Sequence, residues 1–216
     1  MKTRDGTATR TKLLDAARDV IRAKGYTATT VDDICGAAEV TKGSFFYHFT
    51  SKEQLGIAAM GQFGAMAASL FGSAPYRQMP DPRDRVLGYV DFRASLVHGD
   101  IAQFTCLLGT SVQEVYATHP DIRAACDQEM SAHVADLVRD IEAAKQKYAP
   151  AATWSAETVG YFMQAVLQGA FIFAKAKQGP EVAVECLAHL RCYLETLLGK
   201  PRINNRKEKK AWPSRK

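Results

Sequence analysis

The sequence predicts an all-α protein: an N-terminal three-helix helix-turn-helix unit followed by a larger helical domain. Three observations carry this. Apolar residues recur at helical spacing in every long segment, and no segment alternates apolar with polar residues as a half-buried strand does. Capping residues, Thr30, Thr41 and Ser51, stand just ahead of successive short periodic runs. With 216 residues and an apolar fraction of 47%, the chain can fill a small core and a larger one.

The first helix is expected from about Thr9 to Lys24, with Leu13, Leu14, Ala17, Val20 and Ile21 as its stripe and Gly25 as its C-cap. Thr30 caps a second helix, and Asp32 and Asp33 favour its N-terminal dipole. Val31, Ile34, Cys35 and Ala38 give that helix one apolar face, and Glu39-Val40 makes a turn with Val40 as a buried plug. Thr41 caps a third, short helix. There Gly43 and Ser44 are small enough for the backbone to approach a phosphate or a base edge. Phe45 and Phe49 lie four apart and face the core, which leaves Lys42, Ser44, Tyr47 and His48 outside.

Ser51 caps a fourth helix to about Leu70, with Lys52 exposed in its first turn. A cation there gains nothing from the helix dipole, so a phosphate partner is a reason for its presence. Residues 72–82 are rich in Pro and polar residues and form the main break. Further helices are expected at about 82–98, 100–117, 120–147, 154–177 and 180–198. Pro120 restarts the chain, Tyr148-Ala149-Pro150 stops the longest helix, and Gly179-Pro180 divides the last two.

Charge is informative when divided along the chain. Residues 1–60 hold nine basic and seven acidic side chains, residues 61–199 eleven and fifteen, and residues 200–216 eight and one. The two ends therefore suit a polyanion and the middle does not. The tail 200–216 has the composition of a disordered segment. Its plain role is solubility, and its sharper one is added non-specific DNA affinity. Five scattered cysteines resemble no disulfide framework. No run approaches about 18 consecutive apolar residues and no signal-peptide core follows Met1, so a cytoplasmic protein without a membrane partner is expected. Cys186, His189 and Cys192 are spaced three apart, but the helix turns through about 120° from first to last, too wide for a compact metal site. No phosphate loop, zinc-binding histidine pair or nucleophile elbow is present; no catalytic residue, metal or cofactor is expected.

Gly25-Tyr26, the string Thr41-Lys42-Gly43-Ser44-Phe45-Phe46-Tyr47-His48-Phe49 and Ser51-Lys52-Glu53 together resemble the N-terminal domain of the TetR-like (tetracycline-repressor-like) transcriptional regulators, over about residues 9–56. The resemblance implies that the third helix enters the major groove of double-stranded DNA. It carries over DNA-facing roles to Thr30, Lys42, Ser44, Tyr47, His48 and Lys52, with Gly43 as the close-approach position. Lys42 and Ser44 are assigned to base edges, and Thr30, Tyr47, His48 and Lys52 to phosphate. Phe46 departs from the family, which usually carries a phosphate-contacting tyrosine there. Either Tyr47 takes that duty or Phe46 packs against sugar. His48 also has a plainer reading as a partly buried side chain that packs the turn.

The resemblance further implies domains at 1–56 (DNA binding) and 57–199 (effector binding and dimerisation), with 200–216 as a basic tail. The broad apolar surfaces of the last two helices are similar to those that pair two such chains as a homodimer. A small, largely apolar effector is then expected inside the helical domain, releasing a repressor from a palindromic operator by shifting the helix from Ser51 to Leu70. Phe63, Met66, Phe92, Phe104, Tyr116 and Phe162 are candidate cavity walls, although aromatics at helical spacing also make ordinary core. His98, Gln113 and Gln168 are polar groups on apolar helices that can orient a ligand. The competing class is a ligand-independent or architectural DNA-binding protein.

Overall fold

A computed structural model describes residues 3–199, which form ten α-helices, one short 3-10 turn and no strand. The helices are α1 (Thr3–Lys24), α2 (Val31–Ala38), α3 (Lys42–His48), α4 (Lys52–Gly72), α5 (Pro82–Ser95), α6 (Ile101–Phe104), α7 (Leu107–Val115), α8 (Pro120–Tyr148), α9 (Ala156–Lys177) and α10 (Glu181–Leu198). The basic tail 200–216, expected to be disordered, lies outside the described residues.

Each expected cap is made. The Thr30 hydroxyl accepts from Asp33 N at 3.1 Å while the Asp33 carboxylate accepts from Thr30 N at 2.7 Å, a reciprocal capping box. Thr41 Oγ1 accepts from Ser44 N at 3.1 Å and Ser51 Oγ from Gln54 N at 3.0 Å. Gly25 ends α1 with φ +88°, which favours glycine. Glu39 ends α2 in the same left-handed region at φ 55°, and the following Val40 N donates to Cys35 O at 3.0 Å, so the turn between α2 and α3 closes on itself. Val40 is partly rather than fully buried and packs on the edge of the core.

Two expectations are corrected. The first helix begins at Thr3, not Thr9, because no proline or cap stops it, and Gly6 costs a helix only about 1 kcal/mol relative to alanine. The segment 100–117 is two helices. The chain is extended at Thr105 and Cys106, and Cys106 Sγ caps α7 by accepting from Gly109 N at 3.4 Å. That break frees carbonyls for α1: Arg22 Nε donates to Thr105 O at 3.0 Å and Arg22 Nη2 donates to Gln103 O.

The buried apolar side chains form two clusters. One gathers α1 to the first half of α4 around Leu13, Tyr26, Ile34, Phe45 and Leu55, and it also includes Leu107, Val115 and Ile122 from α7 and α8. The other joins α5, α8, α9 and α10 around Tyr89, Ile141, Met163, Leu167 and Leu190. Residue 56 lies inside α4, which runs unbroken from one cluster to the other. Among the described helices α4 alone is long and apolar enough to cross a membrane by length and composition. Its Leu55, Ala59 and Met60 are nevertheless buried in the first cluster, and its later turns line a cavity.

Candidate nucleic-acid interface and ligand cavity

The surface of α3 is built by a simple division of labour. Phe45 and Phe49 are buried and hold the helix against α1 and α2. On the outside, the neighbouring Phe46 and Tyr47 are 57% and 82% exposed, open to a partner surface. Among the described residues nothing needs a glycine at 43: a Cβ there would meet only Thr41 Oγ1, at 3.6 Å. Glycine in a helix costs about 1 kcal/mol relative to alanine, so its use here points to a body outside the chain.

Lys42 reaches back to Asp32 on α2, Nζ to Oδ1 at 2.8 Å, and that bond raises its pKa. Both side chains are exposed, so a phosphate or a base edge can compete for the ammonium at little cost. Ser44 shares a 3.2 Å hydrogen bond with Thr41. The Thr30 hydroxyl is committed to the capping box, donating to Asp33 Oδ2 at 2.6 Å. Asp33 also pairs with Lys24 at 2.5 Å, and hydrogen bonds from Lys24 and then Thr30 hold its carboxyl well below the usual range. His48 is half-buried and meets the Tyr47 ring edge-to-face at 4.9 Å. It lies beside the first turns of α1, since a Cβ on Gly6 would come within 3.7 Å of its Cε1.

Lys52 has a position the sequence did not reveal. Its ammonium donates to Tyr26 O at 3.1 Å and Thr29 O at 2.9 Å and sits 4.3 Å from the Tyr26 ring centroid. It is half-buried rather than exposed, and burial lowers its pKa while Glu114 acts the other way. Lys52 thus ties α4 to the α1–α2 turn, and one of its three N–H groups is left for an external acceptor.

Behind this head lies a cavity of about 940 Å³ between α1, α4, α6, α8 and α9. Of the expected wall residues, Phe63, Met66, His98, Phe104 and Gln168 line it. Four do not. Phe92 packs behind the lining, on Phe71 and Tyr76 at ring distances of 5.8 and 5.9 Å. Gln113 is exposed and donates to its own helix at Gly109 O, 2.7 Å. Tyr116 caps the exposed end of α7, and Phe162 faces outward against Tyr193 at 4.9 Å. Helical spacing identifies apolar positions, whereas only the packing of the helices against one another decides which of them face a void.

Two features contain Gln164 and Glu114, polar groups on apolar helices that the sequence marks as able to orient a ligand, but their partners are not legible in it. A polar network closes one end of the cavity: Tyr89 Oη accepts from Gln164 Nε2 at 2.9 Å and from Arg93 Nε at 3.1 Å, and lies 2.9 Å from His133 Nε2. With two N–H groups already on its oxygen, Tyr89 donates its proton to His133. Burial, with Arg93 and Arg77 nearby, pushes His133 down to about 3, so the ring is neutral. Outside the cavity lining, Glu114 of α7 accepts from Tyr26 N at 3.3 Å and Thr27 N at 2.9 Å, just before the α2–α3 unit. Both connect residues far apart in sequence, which local pattern does not report.

The outward faces of α9 and α10 carry Tyr161, Phe162, Ile172, Phe173, Val184 and Tyr193, half of the large exposed apolar side chains among the described residues. Two others, Phe46 and Tyr47, belong to α3.

Known proteins share this arrangement. Residues 13–59 match the family model described as bacterial regulatory proteins, tetR family, and residues 82–190 match the tetracyclin repressor-like C-terminal domain. The chain is 26% identical over 190 residues to the HTH-type transcriptional repressor NemR of Escherichia coli (strain K12), covering 87% of this chain and 94% of that one. It is 28% identical over 185 residues to the transcriptional regulator AcuR of Cereibacter sphaeroides, covering 82% and 81%. The fold is similar to the crystal structure of reduced E. coli NemR, with a TM-score of 0.74 at 24% identity over 90% of this chain and all of that one. A TetR regulator from Chloroflexus aurantiacus superposes with a TM-score of 0.78 at 21% identity, over 89% and 96%. With a helix-turn-helix that presents Lys42, Ser44 and Tyr47 and a C-terminal domain matched along its length, the chain belongs to the TetR family of DNA-binding transcriptional regulators.

Proposed function

We propose that this protein is a cytoplasmic, homodimeric repressor released from a palindromic operator by a small molecule held in the 940 Å³ cavity. The observation that carries this is the unbroken span of α4 together with Glu114: the helices that line the cavity are those that hold the reading head. A ligand that prefers one arrangement of α4 and α7 then shifts the position of α3, and a few kcal/mol of preference suffices. The exposed apolar face of α9 and α10 supports pairing with a second copy. Two copies of α3 then lie about 34 Å apart, the spacing of successive major grooves. Within each head, residues 1–56 act as the reader, with Lys42 and Ser44 on base edges and Thr30, Tyr47, His48 and the third N–H of Lys52 near phosphate. Gly43 allows the close approach and Phe46 packs against sugar. Residues 57–199 form the effector and dimerisation domain.

Selection of bound sequences from random DNA tests this. A palindrome with two half-sites one helical turn apart is expected. Recovery of unrelated sequences with equal affinity would point instead to an architectural DNA-binding protein.

A further inference from the structure

The charged side chains around the cavity are mostly spoken for. Arg18 pairs with Asp15 at 3.0 Å and Asp19 at 2.7 Å, Arg22 is committed to the carbonyls of Gln103 and Thr105, and Asp136 pairs with Arg139. Arg93 differs. Its Nε donates to Tyr89 and its guanidinium lies 4.5 Å from the Phe71 ring centroid, yet neither terminal nitrogen has a partner among the described residues. Among the described residues no carboxylate pairs with it. A half-buried guanidinium whose outer edge is unpaired next to an apolar space is costly, and that edge is the one that receives a carboxylate in two parallel hydrogen bonds.

The surroundings add donors rather than acceptors. His133 lines the same cavity, and because its Nε2 accepts from Tyr89 the proton of the neutral ring is on Nδ1, where no partner is present among the described residues. The Gln168 amide, pressed against the α7 backbone at Gly109, is likewise without a hydrogen bond there. Two lining acids without a cation partner among the described residues oppose them. Asp100 is exposed and accepts from Gln103 Nε2 at 3.4 Å, and the Glu129 carboxylate lies over Gly64, seven residues from Phe71 and therefore about 10 Å along α4 from the ring beneath Arg93. The cavity is thus donor-rich at the Arg93 end, with Phe63, Phe104 and Phe171 forming apolar walls.

We infer that the occupant is a small apolar carboxylate, its carboxylate held by the terminal nitrogens of Arg93 and by His133 and its hydrocarbon body lying against Phe63, Phe104 and Phe171. This assignment rests on the effector role proposed above and names the chemical class of that effector. Arg93 is held rigid by Tyr89 and Phe71 before the ligand arrives, so little ordering cost remains on binding.

The test is calorimetric titration of the full-length protein at pH 7 with phenylacetate and octanoate, and with phenylacetamide and octanamide, which have nearly the same shape without the charge. At least one acid is expected to bind about tenfold or more tighter than its amide, the gain of a charge-assisted pair. Arg93→Gln is expected to erase that preference and Arg93→Lys to restore part of it, with thermal unfolding midpoints confirming that both variants fold. Failure of both acids to bind, equal affinity for acid and amide, or an undiminished preference in folded Arg93→Gln overturns the assignment. Operator release separates it from the effector role. Acids that bind through Arg93 but leave DNA affinity unchanged refute the effector role alone. Amides that bind and release DNA where the acids do not refute the carboxylate alone.

Discussion

The Glu114 carboxylate on α7 accepts the backbone N–H of Thr27 at 2.9 Å, so a side chain of the cavity domain holds the turn that leads into the DNA-reading helices. Gly25 makes room for it, since a Cβ at that position would lie 2.2 Å from Glu114 Oε1. Glu114→Ala is expected to lower stability by only about 1 kcal/mol, because water can reach the freed N–H groups, while weakening the link between effector and operator affinity. Gly25→Ala should do the same through displacement of Glu114, with added strain at its positive φ. Measuring operator affinity with and without effector for both variants checks this; coupling as large as that of the unmodified protein counts against a role for Glu114.

On the reading helix, Lys42→Ala is expected to change which operator variants are preferred, by about 1–3 kcal/mol at one base pair. Tyr47→Phe should weaken binding to all sequences evenly and leave the salt slope unchanged, because a neutral hydroxyl releases no counterion, whereas Lys52→Ala should lower the slope by about one. Lys52→Ala combines two effects, because its ammonium also holds Tyr26 O and Thr29 O, so a lower thermal midpoint should accompany weaker binding. Binding titrations at several salt concentrations separate these outcomes.

The half-buried His133 makes stability fall with acid. In the unfolded chain it has an ordinary pKa of 6.5, whereas in the fold burial and the two nearby arginines hold it at about 3. Between those values the unfolded chain binds the extra proton. Stability present above pH 6.5 is therefore lost as the pH falls, by up to about 1.4 kcal/mol per pH unit. His133→Gln keeps an acceptor for Tyr89 but does not titrate, so its urea midpoint should drop less between pH 7 and pH 5. The same drop in both proteins would show that His133 is not responsible.

Phe162 and Tyr193 pack together at 4.9 Å on the exposed face of α9 and α10. Phe162→Asp would place a charge in the middle of the proposed dimer contact. Sedimentation should then show a monomer at micromolar concentration with its helical content intact, whereas a persisting dimer would place the interface elsewhere.

What could be read from the sequence follows from the range of the interactions. Caps act within four residues, so Thr30, Thr41 and Ser51 marked the starts of α2, α3 and α4 correctly. The spacing of Phe45 and Phe49 separated the buried side of α3 from the exposed one. The break between α6 and α7 was hidden because Arg22, some 80 residues away, binds the carbonyls it frees. The occupied ammonium of Lys52 was hidden for the same reason. Cavity walls were legible in part: Phe63 and Phe104 line it, but Phe162 is equally apolar and lies on the outer surface, since periodicity cannot distinguish a void from a contact between two chains.

The proposed dimer holds two α3 helices at one fixed separation so that they read one duplex together. Its most direct test is operator affinity after five base pairs are inserted between the half-sites, which turns one of them by about half a helical turn. A fall of about a hundredfold or more is expected, with one dimer bound to the original site, and no recovery when ten base pairs are inserted in place of five, because the half-sites then face the same way but lie about 34 Å further apart. Unchanged affinity across all three spacings would contradict a rigid paired reader.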